Sequence, residues 1–182
     1  MSTRLRLRAA TDDIHQVLHG AEPFARIAAG SITAAEYGAV LGMLWRYHTA
    51  MSPLCVAGAK ALHAPELAGA HAARLWLLKD DLDFLGLAAP SAAAEPVPDD
   101  AFAIGCLYTV QGSTLGGKVI ARQLDRLLKG ANGRRFFLGG PGDSAHWQTL
   151  CARLDRADHD FARLEAGSRH AFQRFAGMLA PA

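Results

Sequence analysis

The chain has 182 residues, 51% hydrophobic and 20% charged, with a mean hydropathy of +0.08. This balance excludes a disordered chain, and the length suits a single domain over residues 1–182. A formal net charge of +2 gives no electrostatic basis for nucleic-acid binding, and three scattered cysteines (Cys55, Cys106, Cys151) argue against a disulfide framework.

Alanine is about a fifth of the chain, leucine is next, and Val, Ile and Thr are scarce. The expected class is all-α. Residues 4–20 place Leu7, Thr11, Ile14 and Leu18 on one helical face, ended by Gly20. A short turn of helix follows Pro23, and Gly30-Ser31 is a break. Thr33 and Glu36 have the spacing of a capping box, opening a helix to about Leu62. Its inner stripe is Tyr37, Leu41, Leu44, Trp45 and His48, and Pro53 is expected to bend or split it. A helix from Pro65 to Gly86 carries Leu67, Leu75, Leu78, Leu82 and Leu85. Residues 88–100 are Ala/Pro-rich without periodicity and form a surface connector within the domain. Asp99 or Asp100 caps a helix over about 101–129, residues 130–143 form a Gly-rich loop, and Ser144 caps a last helical segment. That segment reaches about residue 179, with a break near Asp155–Asp158. The N-terminus lacks a targeting segment, and no apolar run approaches the roughly 18 residues of a membrane span, so the expected location is the cytoplasm.

The most unusual stretch is Gly112-Ser113-Thr114-Leu115-Gly116-Gly117, inside an otherwise convincing helix. An interior glycine costs about 0.5–1 kcal/mol relative to alanine, so three in six residues need a reason. One reason is a small-residue seam for close helix packing. A second is that Gly112 and Gly116, one turn apart, clear a face on which a flat ligand lies against the backbone. A phosphate loop is a poor third, because no strand precedes the motif.

Among eight histidines, His15 stands out beside the apolar stripe of the first helix. His19 lies one turn on, and the pair suits a metal ion only if a third ligand converges. His48 sits in an inward-facing run and reads as structural, while His63, His71, His146, His159 and His170 show no ligand spacing.

A neutral imidazole and a glycine-cleared helix can hold opposite faces of a metalloporphyrin. LRAATDDIHQVLH, with its Leu-Arg-x-x-Thr-x-x-x-His pattern, resembles the proximal helix of heme oxygenases. LYTVQGSTLGGKVIARQL is similar to their distal helix, in the form of the biliverdin-producing bacterial enzymes associated with phytochromes. RRFFLGGPGDSAHW and AFQRFAGML resemble the bacterial Phe-rich loop and closing helix. The similarity spans nearly the whole chain.

The resemblance implies a single-domain helical bundle with heme between the N-terminal helix and a kinked, Gly-rich distal helix. It implies His15 as the axial iron ligand, with Gly112, Gly116 and Gly117 giving the distal helix its close approach to heme. Arg8 is the candidate for a heme propionate, with Tyr108 and Arg153 as weaker candidates for the same role. Heme is both substrate and cofactor, and O2 and externally supplied electrons yield biliverdin, CO and ferrous iron. The implied partners are a ferredoxin- or flavoprotein-type electron donor and a bacteriophytochrome that receives biliverdin. Two positions depart from the family pattern. Ser113 stands where many relatives have an Asp that organises the distal waters; a hydroxyl carries no charge, so the proton network must differ, running through Ser113, Thr114 or waters held by another residue. Asp12 is acidic where some relatives are basic, which bears on heme seating. The alternatives are a non-catalytic heme carrier on the same fold and an all-α interaction module.

Overall fold

The computed structural model describes residues 1–156 and 158–179, with the side chain of His19 outside the described part. Its helices are α1 (Thr3–His19), α2 (Phe24–Ala29), α3 (Ala34–Ala61), α4 (Pro65–Phe84), α5 (Asp100–Gly112), α6 (Gly117–Gln123), α7 (Arg135–Leu138), α8 (Asp143–Arg156) and α9 (Phe161–Leu179). Tight 3₁₀ turns occupy Ser113–Gly116 and Leu124–Arg126. No strand forms among the described residues.

The local signals act where expected at most ends. Thr33 and Glu36 form the complete capping box of α3, the Asp99 carboxylate accepts from the Phe102 N–H, and Pro65 opens α4. Pro53 does not split α3, which runs unbroken through it. Met51, Leu54 and Cys55 around it are all fully buried, and that packing outweighs one missing backbone bond. Ser144 is not a cap, because α8 already starts at Asp143. The Asp143 carboxylate accepts from the Gly140 N–H at 3.0 Å and pairs with Arg74. Trp45, expected on the inner stripe, is only partly buried.

Helix α5 is the centre of the bundle, gripped by α3 and α9. A Cβ at Gly105 would lie 2.0 Å from the Leu164 carbonyl oxygen, and one at Gly167 2.0 Å from that of Phe102. Gly58 meets the Ala103 carbonyl in the same way, at 2.7 Å. The backbones therefore touch, and the small-residue seam lies about two to three turns upstream of the GSTLGG motif. Leu54, Leu67, Ile104, Leu107, Leu150 and Leu164 fill the space around it. A second apolar cluster joins α3, α4 and α7 through Tyr37, Leu41, Leu78, Leu82, Phe136 and Phe137.

Residues 87–99 run without helix between α4 and α5. Glu95 pins this stretch: its N–H donates to the Ala50 carbonyl, and its carboxylate accepts from His170 at 3.2 Å and Arg174 at 2.6 Å.

Candidate functional site

The expected single helix over 101–129 is four pieces: α5, the Ser113–Gly116 turn, α6 and the Leu124–Arg126 turn. The Ser113 and Thr114 hydroxyls donate to the Val110 and Gln111 carbonyls, three residues back, each at 2.7 Å. These bonds compete with the i→i+4 ladder, and glycine's weak helix preference lets the backbone tighten to 3₁₀.

The three glycines of the motif do different things. Gly117 is buried against α7, where a Cβ would sit 2.5 Å from the Phe137 carbonyl oxygen. Gly112 faces the Trp147 ring at 3.4 Å, ordinary contact distance. Gly116 faces open space, with nothing within 4 Å of a Cβ built there. Its φ of −81° suits any residue. The seam explanation therefore holds for Gly117 and fails for Gly116. Leu115 and Val119 beside it leave about half their surface exposed.

The wedge behind the motif is α7. The Asp81 carboxylate accepts from the Arg135 and Phe136 N–H groups, each at 2.8 Å, and caps its start. Burial pushes the Asp81 carboxyl above its usual range, against those two bonds. Arg74 donates to the Phe136 carbonyl at 3.0 Å from the same helix, α4. The Phe-rich part of the expected loop is thus a helical turn clamped at both ends, holding Gly117 in place.

Across the site, α1 buries Leu7 and Thr11 and lies along α9, with the Arg6 guanidinium 3.7 Å from the Phe161 ring centroid. His15 is exposed on this helix, and its imidazole meets the Phe172 ring edge-on at 5.8 Å. The His15–His19 metal reading needs a third ligand. Among the described residues no group of three His, Cys, Asp or Glu gathers for an ion. The His19 side chain itself lies outside the described residues.

No family model matches the chain. A heme oxygenase of Xanthomonas campestris is 35% identical over 111 residues, which is 59% of this chain and 67% of that relative. The chain belongs to the heme oxygenase family. It is accordingly an enzyme, and its helical bundle is the heme oxygenase fold. The NO- and CO-bound heme oxygenase of Neisseria meningitidis superimposes with a TM-score of 0.79 at 25% identity, over 98% of this chain and 90% of that one. The heme complex of a Synechocystis heme oxygenase matches with a TM-score of 0.77 at 16% identity, over 98% and 91% of the two chains. The Leptospira interrogans heme oxygenase gives 0.75 at 17%, over 98% of each.

Against heme oxygenase expectations, the remaining candidates are placed unequally. Arg8 and Arg153 are exposed, and neither has an ion-pair partner among the described residues. Tyr108 packs on Trp147 at 5.4 Å and donates its hydroxyl to the Arg4 carbonyl at 3.2 Å. That bond engages its proton within the protein and ties α1 to α5. Among the described residues no helix is long and apolar enough to cross a membrane.

Sequence reading missed a buried polar cluster between α3, α4 and α8. His71 Nε2 donates to the His48 carbonyl at 3.2 Å and lies 3.0 Å from the Ser52 hydroxyl. Burial holds His71 down to about 4 and His48 well below the usual imidazole range, with Arg74 adding to both shifts. Arg74 in turn donates to Asp143 at 2.8 Å. The signal was present: Leu67, His71, Arg74, Leu78, Asp81 and Leu82 follow helical spacing, with three polar residues on a buried stripe.

Proposed function

We propose that heme is the substrate, seated between α1 and the Ser113–Gly116 turn, and that the chain opens it to biliverdin, CO and ferrous iron. O2 and electrons from a ferredoxin- or flavoprotein-type donor drive the reaction. The carrying observation is Gly116, a glycine that neither its backbone angle nor any neighbour requires, on a turn of the heme oxygenase fold. A bare backbone there lets a flat macrocycle lie close, which an interaction module has no use for.

The residues present fit that substrate. His15 offers an exposed imidazole as axial ligand, and Arg8 and Arg153 offer guanidinium groups for the two propionates. Bound heme supplies the iron at which O2 is activated. With no side chain at Gly116, the backbone of the Ser113–Gly116 turn would lie close against the bound substrate, while Gly112 lets this segment pack on the Trp147 ring. Ser113 spends its proton on the Val110 carbonyl, so its outward lone pair is an acceptor that can hold a water beside the substrate. Thr114 does the same one residue on. In this chain neutral hydroxyls, acting as acceptors, would hold the distal water where a carboxylate would otherwise stand, and the water would carry the proton. Residues 1–182 act as one domain in the cytoplasm, and the biliverdin formed is available to a bacteriophytochrome.

The test is turnover. The hemin complex under air, with ascorbate or a ferredoxin and its reductase, is expected to lose its Soret band and gain a broad red absorption. A stable oxy complex with both reductants would identify a carrier and overturn the reading.

A further inference from the structure

The observation that the heme reading leaves unused is how α1 is held close to His15. Its first half is tied by Arg4 to Asp155, by Tyr108 to the Arg4 carbonyl, and by burial of Leu7. Past Thr11 two side chains of α9 meet the helix: Phe172 against the His15 ring, and Arg169, which makes the polar contacts. Arg169 donates through Nη1 to the Ala10 carbonyl at 2.5 Å and to Asp13 Oδ1 at 3.0 Å, and through Nη2 to Asp13 Oδ2 at 2.7 Å. The planar guanidinium thus spans a carboxylate and a helix carbonyl in the turn directly before His15, a geometry an ammonium cannot copy.

The other end of this grip is fixed. Gly167 rests on the Phe102 carbonyl, and the Ser168 hydroxyl lies 2.6 Å from that of Thr109, which also faces the Ser168 carbonyl. The Ala171 carbonyl accepts from the buried Tyr47 hydroxyl at 3.2 Å. Arg169 therefore projects from the turn of α9 most firmly bolted to α5, the helix that continues into the Gly112–Gly116 turn. One turn further along α9, Phe172 bears on the His15 ring. A short, rigid path runs from the distal helix through α9 to the ligand helix.

We propose that Arg169 is a positioning residue for His15, fixing the height and angle of α1 over the substrate slot through Ala10 and Asp13. This rests on the reading of His15 as the axial ligand. Apart from that reading, the clamp predicts a mechanical effect in the protein without heme.

The experiment uses Arg169→Ala, Arg169→Lys and Asp13→Asn in the full chain. In the apo protein, amide exchange of residues 12–18 is expected to accelerate about tenfold in Arg169→Ala, as for loss of a charge-assisted bond, with α5 amides unchanged. In the hemin complex, Arg169→Ala is expected to release hemin about tenfold faster and to lower the iron–histidine stretching frequency. Arg169→Lys restores part of each effect, and Asp13→Asn, which keeps the carbonyl contact, falls between wild type and Arg169→Ala. Unchanged exchange in Arg169→Ala would overturn the clamp. Faster exchange with an unchanged iron–histidine frequency would overturn its role in positioning His15. A wild-type chain that binds no hemin would overturn the axial-ligand reading together with this one.

Discussion

Replacing Gly116 by leucine separates a ligand-facing glycine from a packing one. The residue lies in the right-handed helical region, at φ −81° and ψ −13°, so a side chain brings no backbone strain. Nothing stands within 4 Å of the added Cβ, so it brings no clash either. Loss of glycine's freedom in the unfolded chain then stabilises the apo protein by about 0.5–1 kcal/mol. For a chain of this size that is roughly 1–4 °C in Tm. The substrate face responds in the opposite sense. A leucine side chain occupies the space that the bare backbone leaves open, and turnover should fall at least about tenfold, or about 1.4 kcal/mol in the barrier. Thermal melts of the apo protein and ascorbate-driven bleaching of the hemin complex measure the two effects. A higher Tm with unchanged hemin affinity and unchanged turnover would refute the reasoning, leaving Gly116 an exposed glycine without a role. Alanine at the same position should stabilise equally and impair turnover less.

Gly105→Ala is expected to do the reverse, since its Cβ would meet the Leu164 carbonyl at 2.0 Å and backbone cannot swing aside. Separating α5 from α9 should cost about 3 kcal/mol, read by urea denaturation. Acid should weaken the fold through His71. Unfolded, it takes a proton near the ordinary imidazole value; folded, it resists down to about 4, so its contribution is full above about pH 6.5 and shrinks as pH falls toward 4. At pH 5 the loss is about 2 kcal/mol, and His71→Gln should flatten the fall in urea midpoint between pH 7 and pH 5. Arg8→Ala and Arg153→Ala should each weaken hemin binding by up to about fivefold, less at high salt, because exposed ion pairs contribute only about 0.2–1 kcal/mol.

What the sequence made legible follows the range of the interactions. Caps such as Thr33–Glu36 and Asp99 act within one turn, so spacing alone finds them. The GSTLGG motif was visible as an anomaly, but the division of labour among its glycines was not, because Phe137, Trp147 and open space are tertiary neighbours. Gly105 and Gly167, which make the true seam, looked unremarkable singly and acquire meaning only when α5 and α9 cross. Pro53 misled because burial around it is set by other helices. Arg74 and Asp81 were readable as polar residues on an apolar stripe, yet their partners, Asp143 and the start of α7, lie more than fifty residues away. His15 was singled out through its pattern with Leu7, Arg8 and Thr11, and the fold leaves it exposed on α1.

The central claim is that His15 is the axial ligand of a substrate heme, and hemin titration of wild type and His15→Ala, followed by absorption, tests it most directly. Wild type should saturate at one hemin per chain with a histidine-ligated Soret band. His15→Ala should bind more weakly with an altered band, and added imidazole should restore the wild-type spectrum. Identical titrations and spectra for the two proteins would contradict the account.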